Sequence, residues 1–177
     1  MDPPNQGHYK TNVDASYIDE KKAAAAIIAR DWKGKLIEGV AGRISAKSPA
    51  HAEAQAIWKA SIMAKKFNST TTVTIESDCK QAVDMIKNVA DLPDWNARLV
   101  LEDVQRLMAN ETNVQFQFVR RQANKPADWI ARVCLNSSLN WNWISNPPES
   151  LCNLIEADMN PLNSSDSVNN LYPIGVG

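Results

Sequence analysis

The apolar pattern of this chain changes period at Ser48-Pro49, and that change limits the folds open to it. Before it lie three runs of strand character, Tyr9–Ser16, Ala23–Asp31 and Leu36–Ile44. Gly34, in Trp32-Lys33-Gly34-Lys35, supplies a turn, so the second and third runs are expected to pair as an antiparallel hairpin. From Ser48 onward helical spacing takes over. Ser48 suits a helix cap and Pro49 the first helical position. Ala50, Ala54, Ile57, Trp58 and Ile62 then recur as one apolar face.

The remaining segments alternate. Thr71–Ile75 has strand composition. A second helix is predicted over Cys79–Asn88, with Ala82, Met85, Ile86 and Val89 in phase. A third opens near Asn96 and carries the stripe Ala97, Val100, Leu101, Val104, Leu107 and Met108. Val114–Arg121 reads as a fifth strand. A last helix starts from Asn124, with Ala127, Ile130, Ala131, Cys134 and Leu135 on one side. Three antiparallel strands followed by strands that alternate with helices predict an α/β fold: a mixed five-stranded sheet flanked by helices.

Composition sets the outer bounds. The chain has 177 residues, 44% of them apolar, enough for one domain with a proper core. Residues 1–8 read as a polar lead-in, 9–136 as the domain, 137–156 as an extension packing on or near it, and 157–177 as a disordered tail rich in Asn, Ser and Pro. The longest uncharged apolar run, Ala23–Ala29, is too short to cross a bilayer, and the first residues lack a basic-then-apolar signal. Those features predict an intracellular protein, cytoplasmic or nuclear, with no membrane partner, and a monomer is expected. Three scattered cysteines, Cys79, Cys134 and Cys152, argue for reduced thiols rather than a disulfide framework or a zinc site. The net charge of −1 gives no global support for a nucleic-acid partner, so that case rests on local features.

Four acidic residues carry the chemistry. Asp14 lies within the first strand, where an unpaired buried carboxylate is costly. Its plain alternative is a solvent-facing strand position. Glu53 falls in the first turns of the first helix, where the helix dipole alone would explain it. It borders the apolar stripe, however, and can project toward the sheet. Asp78 ends the fourth strand. With Gln81 three residues on it has the form of a capping box, yet strand ends in such sheets also hold ligands. Asp128 sits one turn into the last helix, another place the dipole favours. Together they predict carboxylates converging from two strands and two helix starts. Converging carboxylates repel, and hard divalent cations with oxygen ligands relieve the repulsion. Two such ions, about 3.5–4 Å apart, can activate water and stabilise the leaving oxygen of a phosphodiester.

At these residues the chain resembles the type 1 ribonuclease H superfamily, in particular its plant retroelement-type, reverse-transcriptase-associated group. The resemblance is carried by Lys10-Thr11-Asn12-Val13-Asp14-Ala15-Ser16, Ala52-Glu53-Ala54-Gln55-Ala56, Ile75-Glu76-Ser77-Asp78, and Phe118 through Asp128. Trp143, Pro147-Pro148 and Leu151 through Asp158 resemble the usual ending of that group. The resemblance implies a ribonuclease H fold and hydrolysis of the RNA strand of RNA–DNA hybrids with two Mg²⁺ ions, or Mn²⁺ in their place. Asp14, Glu53 and Asp78 would hold the ions, with Asp128 completing the set. Ser16, Arg120, Arg121 and Asn124 are the candidates to contact nucleic acid, and Trp95 is the tryptophan to test for base stacking, whereas Trp58 and Trp129 are expected in the core.

Two departures and one further likeness bear on activity. Many active relatives carry a histidine in the loop before the last Asp; residues 118–127 contain none. Some carry a basic extension after the second helix; here Asn88 through Trp95 is short and acidic. Asp2-Pro3-Pro4 through Asn12 resembles the linker that joins this domain to an upstream polymerase region, which implies a piece of a longer ancestor. The alternative reading is therefore a catalytically weak or inactive retroelement-derived module that binds nucleic acid.

Overall fold

A computed structural model describes residues 7–67, 70–137, 139–140 and 142–159. Its strands are β1 (His8–Asp19), β2 (Lys22–Arg30), β3 (Leu36–Ile44), β4 (Thr72–Ser77) and β5 (Val114–Phe118). Its helices are α1 (Pro49–Ala64), α2 (Lys80–Ile86), α3 (Trp95–Met108), α4 (Lys125–Asn136) and α5 (Glu149–Met159). The strands form one mixed sheet in the order β3-β2-β1-β4-β5. β1 runs antiparallel to β2 and parallel to β4, with Val13 opposite Ile27 on one side and Ser77 on the other. The long strand β1 is thus central, and its middle is shielded on both edges.

Helices cover both faces. Val13, Ala25, Ile27 and Ala29 pack with Ala54, Ile57 and Ala60 of α1, Ala82 and Met85 of α2, and Leu101 and Val104 of α3. Ala24, Ala26 and Ile28 pack on the other face with Trp129, Ile130 and Ala131 of α4, and with Leu151 and Leu154 of α5. A strand covered on both faces needs no polar alternation, which explains the unbroken apolar run in β2. Among the described residues, no helix is long and apolar enough to cross a membrane.

The structure corrects several sequence expectations. α1 buries Ala54, Ile57, Ala60 and Ser61, while Trp58 and Ile62 are exposed. Trp58 lies one position off the buried arc, so it is a surface residue rather than a core one; Trp129 is buried as expected. β5 is shorter than Val114–Arg121. After Val119 bonds the Ser77 carbonyl, Arg121–Ala123 winds into a 3-10 turn. α5 had no counterpart in the sequence reading, and it runs through Met159, three residues into the segment expected to be disordered. The rest of that segment, like residues 1–6 of the lead-in, lies outside the described residues.

The extension after α4 packs closely on the sheet. A Cβ at Gly39 of β3 would stand 2.6 Å from the Trp143 ring and 2.7 Å from Ile144, so only glycine leaves room there. Gly34, in the β2–β3 turn, has a positive φ of 76°, which glycine adopts without strain.

Candidate metal centre

Alternation along β1 gives its two sides different chemistry. Lys10, Asn12, Asp14 and Ser16 point toward the α4 side, because each opposes a β2 residue of that face (Arg30, Ile28, Ala26 and Ala24). Asp14 is 3% exposed, which rules out the solvent-facing alternative. Asp78 follows the last residue of β4, and parallel pairing of β4 with β1 sets Ser77 beside Val13. The middle of β1 and the end of β4 therefore present Asp14 and Asp78 together.

Glu53 arrives from α1. Ser48 caps that helix by accepting from the His51 N–H at 3.0 Å, and Pro49 takes the first position. One turn on, Glu53 reaches the edge of the sheet beside Ala15. Its Oε2 is enclosed and has no hydrogen-bond partner among the described residues. The ligand atoms of Asp14, Glu53 and Asp78 all lie within 4.8 Å of one another. They open into a cleft of about 480 Å³ that Ser48, Cys79, Asp94 and Arg121 also line.

The electrostatics of this cluster are unfavourable without a counter-charge. Burial, then the charges of Glu53, Asp78 and Asp128, push the Asp14 carboxyl up to about 10. Burial and the Asp78 charge push Glu53 up to about 8, against the lowering effect of the Ala15 backbone N–H and of Arg121. Burial also raises the neighbouring Cys79 thiol to about 11, so it stays a protonated, unreactive group. An all-carboxylate set, one oxygen of it enclosed and unpaired, fits a hard divalent cation better than any other common ligand.

Asp128 stands apart from this set. It is buried, and its Oδ1 accepts from Arg121 at 3.2 Å and Arg132 at 3.1 Å. Its charge still raises both Asp14 and Glu53. The dipole explanation for Asp128 is thus incomplete, because its carboxylate is engaged by two arginines.

Two capping expectations need correction. Asp78 does not cap α2: Cys79 is at the cap position without a side-chain cap bond, while Ser77 Oγ accepts from the Cys79 N–H at 3.0 Å. Asn124 stands at the cap position of α4 but makes no capping bond either. Its side chain is fully buried and donates to the Val13 carbonyl at 2.8 Å, so it supports the centre from behind rather than offering a surface to nucleic acid. Ser16 is half-buried one pleat beyond Asp14, and Arg120, Arg121 and Trp95 are exposed.

Sequence reasoning missed Asp94. It caps α3, accepting from the Ala97 N–H at 2.8 Å, and accepts from Ser48 Oγ at 2.5 Å, tying the starts of α3 and α1 at the cleft rim. Its place before the Trp95–Met108 stripe was the available signal. Also missed were Lys10, Asn12, Arg30 and Glu76, a buried polar group behind the carboxylates. The alternation of Lys10, Asn12 and Asp14, and the charge at Arg30 closing an apolar run, could have found them.

A family model described as reverse transcriptase-like matches residues 12–134. No curated protein matches the chain. Among solved structures, the chain is similar to ribonuclease H1 from the halophilic archaeon Halobacterium salinarum, 18% identical, covering 73% of this chain and 98% of that one with a TM-score of 0.65. It is similar to a ribonuclease H1 isolated from compost by a metagenomic approach, 15% identical over 74% of this chain and 97% of that one, TM-score 0.68. The foamy viral protease-reverse transcriptase, solved in complex with an RNA/DNA hybrid, is 12% identical over 72% of this chain and 20% of that one, TM-score 0.58. At such identities the likeness is one of fold, and the fold is that of ribonuclease H.

Proposed function

The chain belongs to the reverse transcriptase-like family, and from that premise we propose that it is a divalent-metal-dependent endonuclease cleaving the RNA strand of RNA–DNA hybrids. One observation carries the reading: Asp14, Glu53 and Asp78 bring their ligand atoms within 4.8 Å of one another in an open cleft. Similar folds from compost and from foamy virus were captured with an RNA/DNA hybrid, which supports the same substrate here.

In this reading Asp14, Glu53 and Asp78 hold Mg²⁺ or Mn²⁺, and Asp128 joins them as the fourth carboxylate. When bound, a pair of such ions supplies an activated water and stabilises the leaving oxygen of the phosphodiester. Arg121, 69% exposed at its side chain and paired with Asp128, is positioned to meet a phosphate at the cleft edge, with Arg120 beside it. Ser16, on the same side of β1 as Asp14, contacts the hybrid next to the scissile bond. The protein acts as a monomer.

The test is cleavage of a hybrid with labelled RNA, with Mg²⁺ and with Mn²⁺. Defined RNA fragments are expected, lost in Asp14→Asn and Asp78→Asn. Failure to cut at high protein concentration with either metal would overturn the enzymatic reading. Retained hybrid binding in that case would favour the inactive module.

A further inference from the structure

Behind the carboxylates lies a line of buried polar groups that the metal reading does not use. Asn124 Nδ2 donates to the Val13 carbonyl at 2.8 Å and approaches Asp78 Oδ1 at 3.4 Å. Its Oδ1 accepts from Asn12 Nδ2 at 3.2 Å. Asn12 Nδ2 also donates to Glu76 Oε2 at 2.9 Å, and its Oδ1 accepts from Arg30 Nη2 at 2.7 Å. Arg30 Nη2 in turn donates to Asp158 Oδ2 of α5 at 2.7 Å.

The line has a direction. A carboxamide has an acceptor end and a donor end, while a guanidinium has donors only. Arg30 therefore requires the oxygen of Asn12 to face it, which turns the Asn12 nitrogen toward Glu76 and Asn124. That nitrogen requires the oxygen of Asn124, which turns the Asn124 nitrogen toward Val13 and Asp78. Reversing either amide would set donor against donor or acceptor against acceptor in a buried place, where unpaired polar atoms are expensive.

Asn124 also sits where control is needed. Asp78 lies just past the end of β4, and Asp14 directly follows Val13. One amide therefore ties the main chain before Asp14 to the carboxylate of Asp78.

We infer that Asn124 is a positioning residue for Asp78, and that its orientation is imposed from α5 by Asp158 through Arg30 and Asn12. The inference rests on the metal-centre reading above. Arg30 has no hydrogen-bond partner at Nε or Nη1 among the described residues, so Asp158 and Asn12 hold this buried charge. Removing Asp158 would free the guanidinium to turn, and the order of the amides with it.

The experiment is direct Mn²⁺ binding by the full chain, read by electron paramagnetic resonance of free Mn²⁺ without any hybrid. Circular dichroism at the same temperature shows that each variant is folded. Asn124→Ala is expected to weaken Mn²⁺ binding about tenfold or more, the usual effect of losing a group that orients a ligand. Asp158→Ala is expected to weaken it less, and to add nothing in the Asn124→Ala background, because both act along one line. Additive effects would overturn the link from α5, and wild-type affinity in Asn124→Ala would overturn the positioning role. If Asn124→Ala does not fold, Asp158→Ala decides alone: unchanged affinity overturns the inference. A wild-type chain that binds no Mn²⁺ removes the metal centre itself, whereas wild-type binding with silent variants removes only the positioning.

Discussion

Compare the two sides of β1. Toward α1, α2 and α3, Val13 belongs to one apolar cluster with Ala25, Ile27, Ile57 and Leu101. Toward α4, Lys10 and Asn12 meet Glu76, Arg30 and Asn124, and Asp14 follows at the open end. Both sides are buried, yet they obey different rules. Apolar packing is non-directional and tolerates rearrangement within a fixed volume. The polar side needs a partner of the right kind for each atom, and at its open end three carboxylates crowd together, with Glu53 Oε2 unpartnered among the described residues. One side of a single strand therefore supplies stability, while the other spends some of it on a site.

Four experiments press on this contrast. The largest effect is expected from Asp14→Asn. Cleavage should fall by on the order of a thousandfold or more, because the ligand set is broken. The metal-free melting temperature near neutral pH should rise, since Asn, unlike Asp14, needs to take up no proton to be buried beside the other carboxylates. A melting temperature that drops as far as for a core truncation would break the contrast.

Leu101→Ala tests the opposite side. Leu101 is fully buried in α3, so truncation should cost about 2–5 kcal/mol in denaturant unfolding. Cleavage per folded molecule at low temperature should stay near wild type. Lost cleavage in a folded Leu101→Ala would show that the two sides are coupled.

A smaller effect should follow pH. Asp14 and Glu53 sit above their ordinary values of 3.8 and 4.5, at about 10 and about 8, so the folded chain holds protons that the unfolded chain releases. Their contribution to stability is complete below the ordinary carboxylate values and is lost as pH rises toward about 8 and about 10. Melting in chelator should therefore move to lower temperature between pH 5 and pH 8, and excess Mg²⁺ should flatten that slope. A flat profile without metal would argue against the crowded carboxylates.

The smallest effect is expected outside both sides. Asp94→Ala removes the cap of α3 and should cost about 1 kcal/mol at neutral pH. Hydrogen bonds from Ala97 N–H and from Ser48 hold the Asp94 carboxyl below its ordinary 3.8. The stability it gives is therefore present above that value and disappears as pH falls through the lowered one. A variant as stable as wild type in urea at pH 7 would remove Asp94 from the account.

The elements with regular spacing were legible in advance. The hairpin, the Ser48-Pro49 start and the Leu101–Val104 stripe follow from local periods, and all are in the structure. Convergence of Asp14, Glu53 and Asp78 was suggested by their places on two strands and a helix start and strengthened by the resemblance, although strand pairing between β1 and β4 is not written in either segment. Trp58 was misjudged because helical phase resolves a face only to within about one position. Asn124 was misjudged because capping position and capping bond are separable: its side chain found the Val13 carbonyl instead. α5 was missed because Leu151, Leu154 and Ile155 stand in a short, polar segment after two prolines.

The tight seat at Gly39 has a practical consequence for where this folding unit is divided. The family match stops at residue 134, yet Trp143, Leu151 and Leu154 cover the α4 side of the sheet, and Asp158 neutralises Arg30. A truncation at the match boundary would strip greasy surface from the outer layer and strand a cation inside it. Such a polypeptide should clump during expression, however sound its catalytic motifs, while one carried through Met159 should purify as a single soluble species.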